Sequence, residues 1–207
     1  MEKAQTVLET PKTDTLMEIT EKKCVLRGLN PIMFDRYGGD NKTKLDPAQK
    51  MYYLEDGKTL CIPSGNVHSL LSAELTNSAP KMFEGKGWQN IAKACLSYVS
   101  ITPTMIPITR NGAPIVFGRF DDGKDALSGA FVHHAVARMK KGNLVIPNPK
   151  TRPVLPPPWG IEFTVTIYRN ENVDEQKVLR LLRLGGLAIG LGTWRGVFGK
   201  FEVSNWE

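Results

Sequence analysis

The chain has 207 residues with 27 basic and 21 acidic side chains, a formal charge of +6 and a pI near 9.2. That length supports one well-buried core without disulfide staples, and Cys24, Cys61 and Cys95 form no CxxC or zinc spacing, so they read as buried thiols in a reducing compartment. No apolar run approaches the roughly 18 residues of a membrane span and the first residues lack a signal-peptide core, so a cytoplasmic protein with no membrane partner and no cofactor is expected.

In chain order, residues 1–15 read as a flexible lead-in and 16–207 as a single domain with insertions at about 30–62, 98–128 and 140–159. Leu16 to Leu29 alternates as a long strand, with a bulge placed at Glu21-Lys22-Lys23. A loop from Ile32 to Lys44 mixes aromatics, the cations Arg36, Lys42 and Lys44, and the carboxylates Asp35 and Asp40. Met51–Leu54 and Thr59–Ile62 form a hairpin about Asp56-Gly57. Pro63-Ser64-Gly65-Asn66 opens a helix that buries Val67, Leu70, Leu71 and Leu75 and ends near Asn77. A second helix covers Trp88–Tyr98, with Ile91, Ala92, Cys95 and Leu96 inward. Val99–Ile108 is interrupted by Pro103 and Pro107 and reads as an edge strand at best, with Ile115-Val116-Phe117 as a short partner.

Asp121–Asp125 reads as a solvent turn, and Phe131–Met139 as a strand. The connection from Lys140 to Trp159 holds six prolines, which excludes an internal strand or a helix and implies a protruding arm or flap. Ala126 to Ile161 carries no acid while Arg138, Lys140, Lys141, Lys150 and Arg152 fall inside it, a pattern that fits a polyanion. Ile161–Arg169 is a strand, and Asn172 caps a last helix whose stripe is Val178, Leu179, Leu181, Leu182 and Leu184. Val197–Trp206 closes the chain as a strand with Phe201 and Val203 inward.

Between that helix and strand lies the densest glycine stretch, with Gly185, Gly186, Gly190, Gly192, Gly196 and Gly199 around Trp194, Arg195 and Lys200. Glycines permit close approach, the cations suit phosphate and the indole suits a base face. A glycine-rich helix cap followed by a bulged strand accounts for only the first two glycines. The major elements run strand, helix, strand, strand, helix, strand. The fold class read from this order is α+β, a ferredoxin-like (RRM-like) βαββαβ core with inserted hairpins and a basic Pro-rich arm.

Three stretches resemble the RAMP superfamily of CRISPR-associated proteins, and within it the repeated backbone subunit that coats the guide RNA. Gly190–Val203 is similar to its glycine-rich loop, Ile62–Leu71 to its Ile-Pro-Gly-Ser-Ser entry to the first helix, and Arg27-Gly28-Leu29 with the following Gly-Gly loop to its first strand end. Here His68 stands where that superfamily usually carries Lys or Arg, and Ser64-Gly65-Asn66 where it carries Gly-Ser-Ser. The resemblance implies a grip on single-stranded RNA, head-to-tail assembly into a filament, and partners that are further copies or other effector subunits. It adds Ser64, Asn66 and His68 to the binding set of Arg36, Lys42, Lys44, Arg138, Lys140, Lys141, Lys150, Arg152, Gly192, Trp194, Arg195 and Lys200.

No catalytic group is assigned. His68, His133 and His134 are the only histidines, and the last two must face opposite ways on a strand. Asp35 and Asp40 lie where some relatives carry a metal-dependent cleaving aspartate, but cations in the same loop pair with such groups equally well. The sequence leaves open RNA or DNA as the strand bound. It also leaves open two alternatives, an RNA endonuclease of the same superfamily and a homo-oligomeric structural protein of a mobile element.

Overall fold

The computed structural model describes residues 18–40, 43–142 and 144–207, with the backbone alone for 137–141 and 145. The lead-in expected over 1–15 and the candidate Lys42 lie outside the described residues. From β1 (Ile19–Gly28) the chain passes through β2 (Ile32–Met33), a 3-10 turn (Ala48–Lys50), β3 (Tyr52–Tyr53) and β4 (Leu60–Pro63) into α1 (Ser64–Ser72), α2 (Ala79–Phe83) and α3 (Trp88–Tyr98). It continues as β5 (Val99–Thr102), β6 (Met105–Arg110), β7 (Ala113–Pro114), β8 (Phe131–Lys141), β9 (Leu144–Leu155), β10 (Gly160–Tyr168), α4 (Glu175–Ala188) and β11 (Phe201–Trp206). This is an α+β fold.

Eight strands form the main sheet in the order β11-β1-β10-β6-β4-β3, with β5 also on β10 and β7 on β6, and β2-β9-β8 form a second sheet of three. Every strand pairing is antiparallel. Strand alternation sends Cys24 and Leu26 of β1 and Ile161, Phe163, Val165 and Ile167 of β10 into a core shared with Leu70, Leu71, Cys95, Leu181 and Leu182 of the helices. All three cysteines are buried and free, and burial pushes Cys24 and Cys95 up to about 12.

Several expectations are corrected. The pairing of β1 with β10 runs unbroken from Ile19 to Arg27, so no bulge lies at Glu21–Lys23; the register shifts between Val25 and Leu26, against β11. α1 stops at Ser72, whose hydroxyl donates back to the His68 carbonyl at 2.9 Å, and Ala73 turns extended. Leu75 is therefore fully exposed, and Leu96 is 60% exposed on the outer face of α3. Val99–Ile108 is one strand interrupted by an excursion: Thr102 faces Thr164 while Ile108 faces Ile161, and the extra residues, including Pro107, pair with β4 instead. The β6 half lies inside the sheet, between β10 and β4, whereas the β5 half pairs with β10 alone. Asp125 is no solvent turn: it is 3% exposed, and its carboxylate accepts from the amides of Gly118 at 3.2 Å and Ser128 at 3.0 Å and from the Ser128 hydroxyl.

The proline-rich connection forms a long hairpin arm with β8 and is itself a strand, internal at its root, where Val154 pairs with β2 on one side and β8 on the other. Pro147, Pro149 and Pro153 occupy alternate positions of β9. The Pro153 carbonyl accepts from Phe34 N on the side away from β8, so residues of this parity turn their backbone groups outward. The three missing N–H groups thus cost the hairpin no ladder bond. Helix α4 is capped by Asp174, which accepts from Lys177 N at 2.8 Å, in place of Asn172. Its stripe is Val178, Leu181 and Leu182, with Leu179 and Leu184 half-buried. Gly185 and Gly186 belong to this helix; a Cβ on Gly186 would lie 2.5 Å from the Phe201 carbonyl oxygen, so the glycine is what seats α4 on β11.

Candidate nucleic-acid interface

The loop between α4 and β11 is sewn to the chain that leaves β1. Thr193 N donates to Met33 O at 2.9 Å, Gly199 N to Pro31 O at 2.8 Å, Leu191 N to Gly199 O at 2.9 Å and Leu29 N to Lys200 O at 2.8 Å. Asn30 is the hub of this seam: its side chain donates to Val197 O and accepts from Lys200 N, both at 2.7 Å, while its carbonyl accepts from Trp159 Nε1 at 2.8 Å. A Cβ on Gly192 would collide with the Met33 carbonyl and one on Gly199 with the Leu191 carbonyl, and both residues have positive φ. The close approach that these glycines permit is therefore that of the chain's own backbone.

What the seam leaves outward is the tip, Trp194-Arg195-Gly196. Trp194 holds φ +53°, an uncommon value for a side-chain-bearing residue, and is 47% exposed. Among the described residues, none of the backbone hydrogen bonds through the loop uses the amides of Gly192, Trp194 or Arg195. The half-buried Arg195 guanidinium donates to Thr76 Oγ1 at 2.8 Å and to Ser69 Oγ at 3.5 Å, and no carboxylate pairs with it among the described residues. Burial pushes its pKa down from the ordinary value.

The root of the hairpin meets this tip. The His133 ring lies 6.2 Å from Trp194 and 5.8 Å from Phe198, and Trp194 lies 5.7 Å from Phe198, so three rings from β8 and the loop form one cluster. Arg152 faces His133 across the hairpin, and Lys150 follows on the same face of β9. Arg152 Nε donates to Asp35 Oδ2 at 2.7 Å, and Lys50 Nζ lies 3.9 Å from the other oxygen. Beside them runs a groove of about 710 Å³ between β9 and the loop 35–45, with Arg36, Lys44, Lys50 and Lys150 among its lining residues. A cavity of about 750 Å³ lies away from this region, around the Asp125 loop.

The structure thus brings Arg36, Lys44 and Lys150 to one groove, with Arg152 beside it on Asp35, and Trp194 and Arg195 to the loop tip near the hairpin root. Gly192 is occupied by Met33, and the half-buried Lys200 sits at the start of the closing strand. Ser64 and Asn66 lie in the first turn of α1, which has no side-chain cap. His68 is held within the fold, with Nε2 3.0 Å from Val99 O and Nδ1 3.1 Å from Ser72 Oγ. Arg138, Lys140 and Lys141 lie on the distal half of β8, described by backbone alone. The sequence reading did not place His133, Phe198, Lys50 or Asn30 in the interface. Phe198, between Val197 and Gly199, was the one with a visible signal, an aromatic inside a glycine loop.

The open face of the main sheet offers a different surface. Its cations are paired, Lys23 with Glu162 at 2.6 Å and Arg27 Nε with Glu202 at 2.7 Å, and Glu21 accepts from Thr166 at 3.4 Å. Across β1, β5, β10 and β11, that face carries a single ring, Tyr168 at one end. Stacking platforms of the kind that RNA-recognition sheets use are missing from its centre. Among the described residues, no three His, Cys, Asp or Glu side chains converge on a metal-sized site, and no helix is long and apolar enough to cross a membrane.

Fold and site together define an α+β protein with antiparallel sheets and, among the described residues, four helices, with a basic hairpin arm rooted in an aromatic cluster. Its fold is similar to that of a chain in the cryo-EM structure of the type III-B Cmr-beta bound to cognate target RNA, with a TM-score of 0.57 and 13% sequence identity. The match covers 91% of the present chain and 60% of the other, so the chain accounts for only part of that neighbour's length. No protein-family model matches the sequence, and no curated protein matches it.

Proposed function

We propose that the chain is a sequence-tolerant single-stranded RNA-binding subunit of the RAMP superfamily that assembles head to tail along its ligand, as in the backbone of a CRISPR effector complex. The strand order supports a ferredoxin-like core: β1 and β10 lie at the centre, β11 and the β5/β6 strand flank them, and the helices fall between β1 and β5 and between β10 and β11. Similarity in fold to a chain from an RNA-bound assembly points the same way.

The observation that carries the reading is the juxtaposition at the hairpin root. A half-exposed indole in a cluster of three rings presents a face to a base, while Arg195 at the same tip and Lys150, Arg36 and Lys44 along the groove serve as phosphate partners. Ring faces and phosphates carry no base code, so such a site grips any unpaired strand. Cofactors have no part in it.

Fluorescence anisotropy of single-stranded RNA, single-stranded DNA and duplex at two salt concentrations, with light scattering on the same mixtures, tests this. Expected are salt-sensitive binding of single strands, RNA above DNA, and growth into larger assemblies on the strand. Equal or tighter binding of duplex, or no binding with a fixed oligomer in the absence of nucleic acid, would overturn it.

A further inference from the structure

One carboxylate joins a cation of the body to one at the root of the hairpin arm. Asp35 accepts from Arg152 Nε at 2.7 Å and lies 3.9 Å from Lys50 Nζ, with the three side chains 27, 16 and 15% exposed. Lys50 Nζ also donates to Thr151 O at 2.5 Å, and backbone bonds run alongside, from Phe34 N to Pro153 O and from Arg36 N to Lys50 O, both at 3.0 Å. Asp35 is thus the shared counter-ion of two largely covered cations on different elements, at the end of a groove whose other charged residues are mainly basic. Without it, Arg152 and Lys50 would face each other as like charges with little water between them. Arg152 is also the cross-strand partner of His133, whose ring packs on Trp194 and Phe198. A continuous path of contacts runs from Asp35 through Arg152 and His133 to the ring cluster.

We infer that Asp35 is a positioning residue that acts through Arg152. It lets the two cations pack side by side, fixes the hairpin root, and so places His133 where it completes the cluster that receives a base. The last step rests on the reading of that cluster as a stacking site. The Asp35 carboxylate is spent on the arm, and its work is geometric.

Hydrogen exchange and the His133 ring resonances of the free protein, followed by anisotropy with fluorescent oligouridylate, test the inference in wild type, Asp35→Asn and Asp35→Glu. Exchange at Val165, deep in the main sheet, reports whether each variant is folded. Loss of one charge-assisted bond predicts roughly tenfold faster exchange at the Phe34 amide in Asp35→Asn and about tenfold weaker oligouridylate binding. The His133 resonances move away from their ring-shifted positions, and Asp35→Glu restores most of each effect. Tighter binding by Asp35→Asn with unmoved His133 resonances would show plain charge removal from a basic surface and overturn the inference. So would Mg²⁺-dependent scission of the bound strand that Asp35→Asn abolishes while exchange and ring resonances stay unchanged, since Asp35 would then be catalytic. Failure of wild type to bind any strand, with exchange and resonances still responding to Asp35→Asn, would refute the stacking function and leave Asp35 as the positioning group of the arm.

Discussion

Trp194 offers a way to separate binding from folding, because its side chain and its backbone make opposite demands. The residue sits at φ +53°, where a Cβ costs about 1–2 kcal/mol and glycine pays nothing. Elsewhere in a folded chain glycine is the worse choice than alanine by about 0.5–1 kcal/mol, because it loses more backbone freedom on folding. At Trp194 the order inverts. Trp194→Gly should be more stable than Trp194→Ala by about 0.5–1 kcal/mol, the difference between those two terms. Both variants lose the same indole, with its contacts to His133 and Phe198, so both should bind single-stranded RNA equally poorly. A stacked base is worth about 1–3 kcal/mol, which predicts about 5- to 150-fold weaker binding for each, with Trp194→Phe keeping most of the affinity. Urea denaturation and anisotropy on the three variants make the comparison. Wild-type affinity in both small variants would remove the ring from the site, and Trp194→Ala more stable than Trp194→Gly would show that the backbone is not held left-handed in solution.

Other consequences are simpler to measure. Arg195→Ala removes a guanidinium that has hydroxyl partners and no carboxylate among the described residues; affinity should fall for all sequences, and the slope of log K against log salt should flatten by about 0.7. Asn30→Ala breaks the two side-chain bonds of the seam and should cost about 1–3 kcal/mol by denaturation, with faster exchange at the Lys200 amide. Glu84, at the end of α2, is desolvated, yet Lys177 at 3.1 Å and Arg180 hold its pKa below the ordinary carboxylate value. A depressed folded pKa means stability present above the unfolded value near 4.5 and lost as pH falls through the folded one, so wild type should lose more stability than Glu84→Gln on acidification from pH 6 to pH 3. Parallel stability curves for the two proteins over that range would show that the pair contributes nothing.

Much of the fold was legible wherever side-chain period and burial agree. The strand at Ile161–Ile167, the helix at Trp88–Tyr98 and the hairpin about Asp56-Gly57 stand where alternation, helical spacing and turn chemistry place them. Legibility failed where a local choice depends on a distant partner. Leu75 and Leu96 continue an apolar pattern beyond the surface that the sheet can cover, and Ser72 ends α1 by bonding its own helix. Asp125 reads as a turn former until five neighbouring donors close around it. The prolines of the arm carried a readable clue in their parity: Pro147, Pro149 and Pro153 alternate as an edge strand permits, although counting them suggested that no internal strand was present.

The glycine loop shows why the site was only half legible. A glycine records that something comes close, and the sequence does not say what; at Gly186, Gly192 and Gly199 it is the chain itself. Those contacts still bear on binding, because a loop tied to Pro31, Met33 and Asn30 by its own backbone can hold Trp194 in a left-handed conformation facing the hairpin. Strain at an exposed aromatic persists only where the surroundings over-determine it. Here the over-determination comes from one end of β1, the start of β11 and the root of the arm together, so on the proposed reading a strand would meet a tip already shaped. The cations divide on the same basis. Arg152 is consumed in holding that shape, whereas no ion pair ties Arg195 or Lys150 among the described residues. Charge counting along the sequence treats these three alike; only the register of β9 against β8 and the position of Asp35 tell them apart.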